Sequence, residues 1–273
     1  MGEWSASIEQ QLPWGMALSV AYAGSKGWHL QRIEEGNPTI PAGMTSNGLP
    51  YYCNPVDGTP GPPTAAHPCA TSFTPTRPNS LLGAYYYQAE DAQAWYEAAL
   101  VTLTKRLSNG LQFQANYTFE HQIDTGETAL ASDNTEHMSV LPDYDNIDKG
   151  TSTYSIPQNF RFNAIYHIPG PKSQNFLAKF AQGWWTAGIL SVQSRDYFNI
   201  YVGVERSLAA ASKGLEDRPN FDPSYNPSTF IIGNPNQWFN QSMLDVPPTG
   251  TIGNTPVNLG RGPNLRNLDF SMN

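Results

Sequence analysis

The residues that could carry out chemistry are few, and they do not form a catalytic set. The 5 histidines are scattered along the chain, at His29, His67, His121, His137 and His167. A Ser/His/Asp combination can be chosen from almost any chain with this content, and the G-x-S-x-G motif of a nucleophile elbow does not occur. We therefore expect no enzymatic activity and no cofactor.

A short acidic cluster contains Asp143, Asp145, Asn146 and Asp148. Carboxylates at this spacing are typical of sites for hard cations such as calcium. The cluster lacks the glycine and the distal glutamate of an EF-hand loop, so a solvated acidic loop is the favoured interpretation. Asp143, Asp145 and Asp148 stay as a candidate metal site.

Cys53 and Cys69 lie in one stretch that is rich in proline and glycine. Their spacing does not suit zinc, and no pair of histidines accompanies them. We expect a disulfide that closes a surface loop, which contributes about 3 kcal/mol in the chain-entropy model. Such a bond implies an oxidising compartment. The alternative is two unrelated thiols in an unstructured loop.

Three consecutive tyrosines, Tyr85, Tyr86 and Tyr87, lead into a predicted strand. Aromatic side chains on an external loop can stack on a glycan or a siderophore, which makes these residues candidate ligand contacts. The favoured alternative is packing within the loop or within an aromatic girdle at a membrane interface.

The composition of the 273 residues excludes several classes of protein. Charged residues make up 14% and aromatic residues 12% of the chain, the reverse of what a disordered chain needs. A net charge of −8 without any run of lysine or arginine excludes nucleic acid as a partner. No apolar stretch approaches the roughly 18 residues of a membrane-spanning helix. Barrel strands are apolar only at alternate positions, so this argument does not exclude them.

Seven segments alternate between apolar and polar residues, which is the pattern of strands with one apolar and one polar face. The clearest segment places Leu111, Phe113, Ala115, Tyr117 and Phe119 on one face, with glutamine, asparagine and threonine between them. The other six segments cover residues 4–9, 16–22, 99–104, 160–168, 184–193 and 268–272.

Short and long connections alternate between these segments. Pro13-Trp14-Gly15 and the hairpin signal Ser108-Asn109-Gly110 are short. The long connections are rare in compact soluble domains but typical of the external side of outer-membrane barrels, and they cover roughly residues 34–80, 121–155 and 194–266. We therefore predict an all-β fold: an antiparallel up-and-down meander of about seven strands, an open curved sheet that forms part of a large transmembrane β-barrel.

Aromatic residues concentrate near the ends of the predicted strands, as in the interfacial girdles of membrane barrels. Ordinary core residues of a soluble sandwich are the alternative. The residues concerned are Trp14, Tyr22, Trp28, Tyr117, Phe119, Tyr166, Trp184 and Trp185.

Six segments, all at predicted strand ends and in family order, resemble motifs of the barrel of TonB-dependent outer-membrane receptors, most closely the Oar-like group. They are residues 21–30 (AYAGSKGWHL), 103–111 (LTKRLSNGL), 117–124 (YTFEHQID), 156–161 (IPQNFR), 183–194 (GWWTAGILSVQS) and 258–269 (NLGRGPNLRNLD).

This resemblance implies a barrel of about 22 strands around a plug domain, with TonB driving uptake of a scarce solute such as a siderophore or a glycan. It also implies outer-membrane lipid as a partner and the bacterial outer membrane as the location. This sequence contains no plug, TonB box or signal peptide, so we expect residues 1–273 to be an internal part of the barrel domain. The alternatives are a passive porin-like channel and a soluble secreted β-sandwich that binds glycans.

Overall fold

The structure is a computed structural model that describes residues 1–70, 74, 76–126, 145–171, 175–176, 182–194, 196–209 and 217–273. Short α-helices cover Asp145–Asp148 and Pro227–Phe230, and 3-10 turns cover Pro13–Gly15 and Gln241–Met243. None of the helices in these ranges is long and apolar enough to cross a membrane. The strands are β1 (Gly2–Leu12), β2 (Met16–Glu35), β3 (Gly43–Met44), β4 (Pro50–Tyr51), β5 (Tyr86–Ser108), β6 (Leu111–Asp124), β7 (Gly150–Thr151), β8 (Gln158–His167), β9 (Trp185–Gln193), β10 (Tyr197–Phe198), β11 (Asn220–Phe221), β12 (Ile231–Asn234), β13 (Gln237–Phe239), β14 (Leu244–Asp245), β15 (Gly260–Arg261) and β16 (Leu265–Met272).

The seven long strands form one antiparallel sheet, the main sheet, in the order β1-β2-β5-β6-β8-β9-β16. Strands that follow one another along this order are also neighbours in the sheet, and the short strand β7 adds a second partner to β6. Each of the seven predicted segments lies in one of these strands to within one residue. The predicted all-β up-and-down meander is therefore confirmed.

The register places the apolar residues of neighbouring strands on one face, which we call the apolar face. Ala115 pairs with Leu103 on one side and with Phe162 on the other. Directly opposite residues share a face of a sheet, so the alternation of each strand is in phase with that of the next. The rings of Phe113 and Phe162 contact each other on this face, with centroids 5.8 Å apart.

The other face of the main sheet, the polar face, carries mainly amide and hydroxyl side chains. Asn116 pairs with Thr102 and Arg161, and the hydroxyl of Thr102 donates a 3.0 Å hydrogen bond to the Asn116 side-chain oxygen. Two isoleucines, Ile165 and Ile189, also lie on this face. A mostly polar face of this kind suits the water-filled interior of a barrel.

Among the residues that the structure describes, no second sheet covers either face of the main sheet. Phe113 and Phe162 are only half-buried, and Ile8, Leu268 and Phe270 on the same face are 77%, 68% and 67% exposed. A water-soluble sandwich would bury these side chains between two sheets. The β-sandwich alternative is therefore wrong, and the exposed apolar face is the one that suits contact with lipid.

The buried apolar residues lie mainly outside the main sheet, in the long connections. Tyr52, Ala209 and Ile252 form one buried cluster, and Phe230 is buried elsewhere in the last connection. Strands β2 and β5 have 20 and 23 residues, about twice the 9–11 that a tilted barrel strand needs to cross a bilayer. These two strands therefore extend beyond the apolar part of the sheet and support the connections.

Candidate functional site

The three long connections lie at one end of the main sheet and pack against each other. We call them loop 1 (residues 36–85), loop 2 (residues 125–157) and loop 3 (residues 194–264), and their described parts together form the loop cap. The Tyr52 N–H of loop 1 donates to the Gly250 carbonyl of loop 3 at 2.8 Å. The Asn258 side chain of loop 3 donates to the Thr151 carbonyl of loop 2, also at 2.8 Å. The loop cap is thus one folded unit.

A disulfide within loop 1 packs against loop 3. The structure joins Cys53 and Cys69, with Cα atoms 6.0 Å apart, and the Cys69 sulfur lies 3.1 Å from the Thr249 carbonyl oxygen of loop 3. The next residue, Gly250, has φ +87°, and a Cβ atom there would lie 2.0 Å from the Cys53 sulfur. Only glycine fits this position, because both the backbone conformation and the contact with the disulfide exclude a side chain.

A hydrogen bond between Asp57 and His67 closes the disulfide loop at its exposed rim. Asp57 Oδ2 lies 2.6 Å from His67 Nδ1, and the Thr59 N–H donates to Asp57 Oδ1 at 3.0 Å. The hydrogen bond from His67, followed by those from Thr59, lowers the pKa of Asp57 to about 2. Ionisation of the Asp57 carboxylate therefore stabilises the folded form of this loop.

Buried charged residues connect the strand ends to the loop cap. Arg32 is 1% exposed and makes a bidentate pair with Asp91, with N–O distances of 2.8 and 2.7 Å. It also lies 2.6 Å from Glu34, and the Tyr87 hydroxyl donates to the other Glu34 oxygen at 2.7 Å. Charges this deeply buried persist only when they are paired, so this network fixes the outer ends of β2 and β5.

A second buried pair holds the start of loop 1. Arg77 contacts the carboxylate of Glu35, which is fully buried, and the carbonyl of Asn37. The Asn37 amide donates to the carbonyls of Asn79 and Leu82 at 3.0 and 2.9 Å. The two ends of loop 1 are therefore joined beside the strands that carry them.

The candidate ligand tyrosines lie at the boundary between loop 1 and the main sheet. Tyr85 packs its ring against Gly36, while Tyr86 and Tyr87 begin β5. All three are exposed, at 44–47%, although Tyr87 also belongs to the Glu34 network. Tyr85 thus packs within the loop region, and a ligand contact by the three tyrosines stays a prediction.

The candidate acidic metal site is described only in part. Asp143 lies outside the described residues. Asp145 is described only by its backbone, which begins the helix that ends at Asp148. Asp148 itself is buried, and its charge acts on Arg218 of loop 3, whose guanidinium donates to the Ile147 carbonyl at 2.9 Å. Among the described residues, no group of three His, Cys, Asp or Glu side chains could hold a metal ion.

The aromatic residues of loop 3 build a scaffold that the sequence patterns did not reveal. The rings of Phe221, Tyr225, Phe230 and Phe239 follow one another with centroids 4.1 to 5.4 Å apart. Beside them lies a cleft of about 960 Å³ between loops 2 and 3. Its walls come from residues more than a hundred positions apart, so no local spacing in the sequence could have indicated it.

Two aromatic rings near this cleft make cation–π contacts with basic side chains. The Lys149 ammonium lies 4.4 Å from the ring centre of Trp95, and the Arg261 guanidinium lies 5.2 Å from that of Tyr197. Both Lys149 and Arg261 line the cleft. A cation over an aromatic face is attracted by the ring quadrupole, so these two charges are held at the cleft wall.

A family model described as an outer membrane beta barrel domain matches residues 1–273, which is the whole chain. No curated protein and no solved structure matches it. The match agrees with the structure of the main sheet, which has an exposed apolar face, a polar face on the opposite side and long connections at one end. The chain belongs to the outer membrane beta barrel domain family, and it lies in the bacterial outer membrane.

Proposed function

We propose that residues 1–273 form part of the wall of a TonB-dependent transporter, with Oar-like receptors as the group that they resemble most. In this proposal the polar face lines the lumen and the loop cap presents a binding surface for a scarce solute, such as a siderophore or a glycan. TonB acts through a plug that other residues of the full-length protein provide. The role is transport, without enzymatic chemistry.

The observation that carries the proposal is the fixed arrangement of the loop cap. The buried Arg32–Glu34 and Glu35–Arg77 contacts fix the outer end of β2 and the start of loop 1. The disulfide between Cys53 and Cys69 packs against loop 3. Ordering loops of this length is entropically costly. A solute that is scarce must be captured by a preorganised surface, whereas a passive channel for abundant solutes needs no such surface.

A passive channel is the second candidate, and the polar face is the observation that favours it. Most side chains that would line a water-filled lumen carry no charge, although Arg161 lies among them. The uncharged ones include Gln112, Gln114, Asn116, Asn163 and Gln193. A channel of this kind equilibrates solutes and does not concentrate them.

The two candidates differ in their dependence on energy. We would measure solute accumulation by cells that produce the full-length protein, with intact TonB and with TonB deleted. The transporter requires accumulation that disappears without TonB, while a mock strain that lacks the protein sets the background. Accumulation that is unchanged by the TonB deletion would overturn the transporter and support the passive channel.

A further inference from the structure

A group of cations lies on the outward end of the apolar face, where the sheet leaves the lipid. Lys26, Trp95 and Ile123 occupy one cross-strand row. Lys26 and Lys149 both approach Trp95, with ammonium groups 5.2 and 4.4 Å from its ring centre. Ala99 lies in one cross-strand row with the exposed aromatic residues Tyr22 and Phe119, and Trp95 lies four residues outward of that row. Trp95 therefore lies at the level of the polar headgroups rather than of the hydrocarbon.

A third cation lies at the same side of the sheet. Arg261 over Tyr197 borders both the large cleft and a smaller one of about 320 Å³. The walls of the smaller cleft include Tyr117, Phe160 and Val192, which form one row of the apolar face. The two clefts share Tyr197 and Arg261, so they adjoin along the lipid side of the sheet.

The charge of this surface is opposite to that of the whole chain. The net charge of the chain is −8, yet the charged residues in the wall of the large cleft are Lys149 and Arg261. Two carboxylates lie near Trp95 and Lys26. Glu97, two residues from Trp95 on the same face, has His121 as its cross-strand neighbour. Asp91, which lines a small cleft with Lys26, is paired with Arg32. Cations that are held on aromatic rings beside an apolar wall suit a ligand that has both phosphate groups and acyl chains.

We propose that Lys26, Trp95, Lys149, Tyr197 and Arg261, the basic–aromatic patch, bind the phosphate groups of a lipid in the outer leaflet. The acyl chains of this lipid would lie along the Tyr117–Phe160–Val192 row. A transported solute has to reach the polar face, and the patch lies on the opposite side of the sheet. The proposal rests on the location in the outer membrane and goes beyond the transport function, because it holds for a transporter and for a passive channel alike.

Native mass spectrometry of the full-length protein in detergent tests the patch. The probes are lipid A with both of its phosphate groups and the same lipid after enzymatic dephosphorylation. The variants are K149Q, R261Q and their combination. The control is R106Q, which removes one exposed cation beside the short turn at the other end of β5.

We expect phosphorylated lipid A to stay bound to the wild type and the dephosphorylated lipid to be lost. Each single variant should weaken binding roughly fivefold and the double variant more than tenfold, since a lysine or arginine near an anionic surface contributes about 1 kcal/mol. The R106Q protein should bind like the wild type.

Three results of the binding comparison would overturn the proposal. They are equal binding of both lipids, equal binding by the wild type and the double variant, and the same loss in R106Q as in K149Q. Displacement of the lipid by inorganic phosphate alone would also overturn it, because the patch would then be a site for soluble anions. The heat-modifiable shift of the folded barrel on gels verifies that each variant is folded, so a loss of binding in the double variant reports on the patch.

Discussion

Gly250 of loop 3 packs against the disulfide of loop 1 with no room for a side chain. We expect Gly250→Ala to destabilise the loop cap by roughly 2–5 kcal/mol, because the methyl group adds overpacking against the disulfide to the cost of a positive φ. Gly233 is a matched control, since it has φ +76° and no atom within 4 Å of its Cβ position. Gly233→Ala should cost only the backbone part, about 1–2 kcal/mol.

Hydrogen exchange of loops 1 and 3 in the full-length protein measures both changes. In a C53A/C69A background the extra cost of Gly250→Ala over Gly233→Ala should shrink, because the sulfur atoms that its Cβ meets are absent. Equal costs in the disulfide-bonded protein would show that the packing of Gly250 against the disulfide is unimportant.

The Cys53–Cys69 bond itself can be tested directly. Mass mapping of the exported protein without reductant should recover the two cysteines in one linked pair of peptides. Reduction should then increase hydrogen exchange around Thr249, because the sulfur atoms pack against that residue of loop 3. Two free thiols after export would contradict both the bond and the oxidising compartment that it implies.

The Asp57–His67 pair predicts how the disulfide loop responds to acid. The pKa of Asp57 falls from the ordinary 3.8 to about 2 in the folded protein, so the ionised form favours folding. This contribution is fully present above about pH 4 and is lost as the pH falls through about 2. A carbon-13 titration of labelled aspartate should show the low pKa, and His67→Ala should return it towards the ordinary value. An unchanged titration in His67→Ala would assign the shift to Thr59 alone.

At the scale of elements, the phase of β6 decides which residues meet lipid. Phe113→Lys should cost about 2–4 kcal/mol near the bilayer midplane, because it places a charge in hydrocarbon. Gln114→Lys is the matched control one residue away, and it should be much milder because the polar face stays wet. Denaturant unfolding in lipid vesicles compares the two. Equal losses of stability would mean that the assigned faces are wrong.

The period-two pattern predicts the strands well where one face of the strand contacts lipid and the other contacts water. It stops short at the outer ends of β2 and β5. There the register shifts between Gly27, Leu30 and Arg32, and buried charges replace the alternation. From the sequence, Arg32 would be expected to be a solvated charge. In the structure it is buried and paired with Glu34 and Asp91. The candidate tyrosines are adjacent in the sequence, so a local pattern is enough to propose them. The basic–aromatic patch joins positions from 26 to 261 and leaves no local signal.

At the scale of the whole molecule, the main sheet has two edges in the described residues. There β1 pairs with β2 alone and β16 pairs with β9 alone. An unpaired N–H or C=O group in hydrocarbon costs several kcal/mol, so both edges need further strands to close a barrel. We therefore expect these residues alone to give no conducting pore in planar bilayers, whereas the full-length protein forms a closed barrel that resists protease. Stable conductance from residues 1–273 alone would show that the edges can close on each other.

Most buried apolar residues lie in the loop cap and not in the main sheet. The two parts of the chain should therefore tolerate different kinds of substitution. Lipid is a fluid that adapts to the shape of any apolar side chain, so Leu190 or Leu268 can drift to valine, isoleucine or phenylalanine with little effect. Tyr52, Ile252 and Phe230 pack against fixed neighbours, and there the same exchanges leave cavities or clashes. Over long divergence, the wall of the barrel should keep its hydrophobicity but lose its residue identities. The cap should keep the identities of its packed residues while the exposed positions around them change freely.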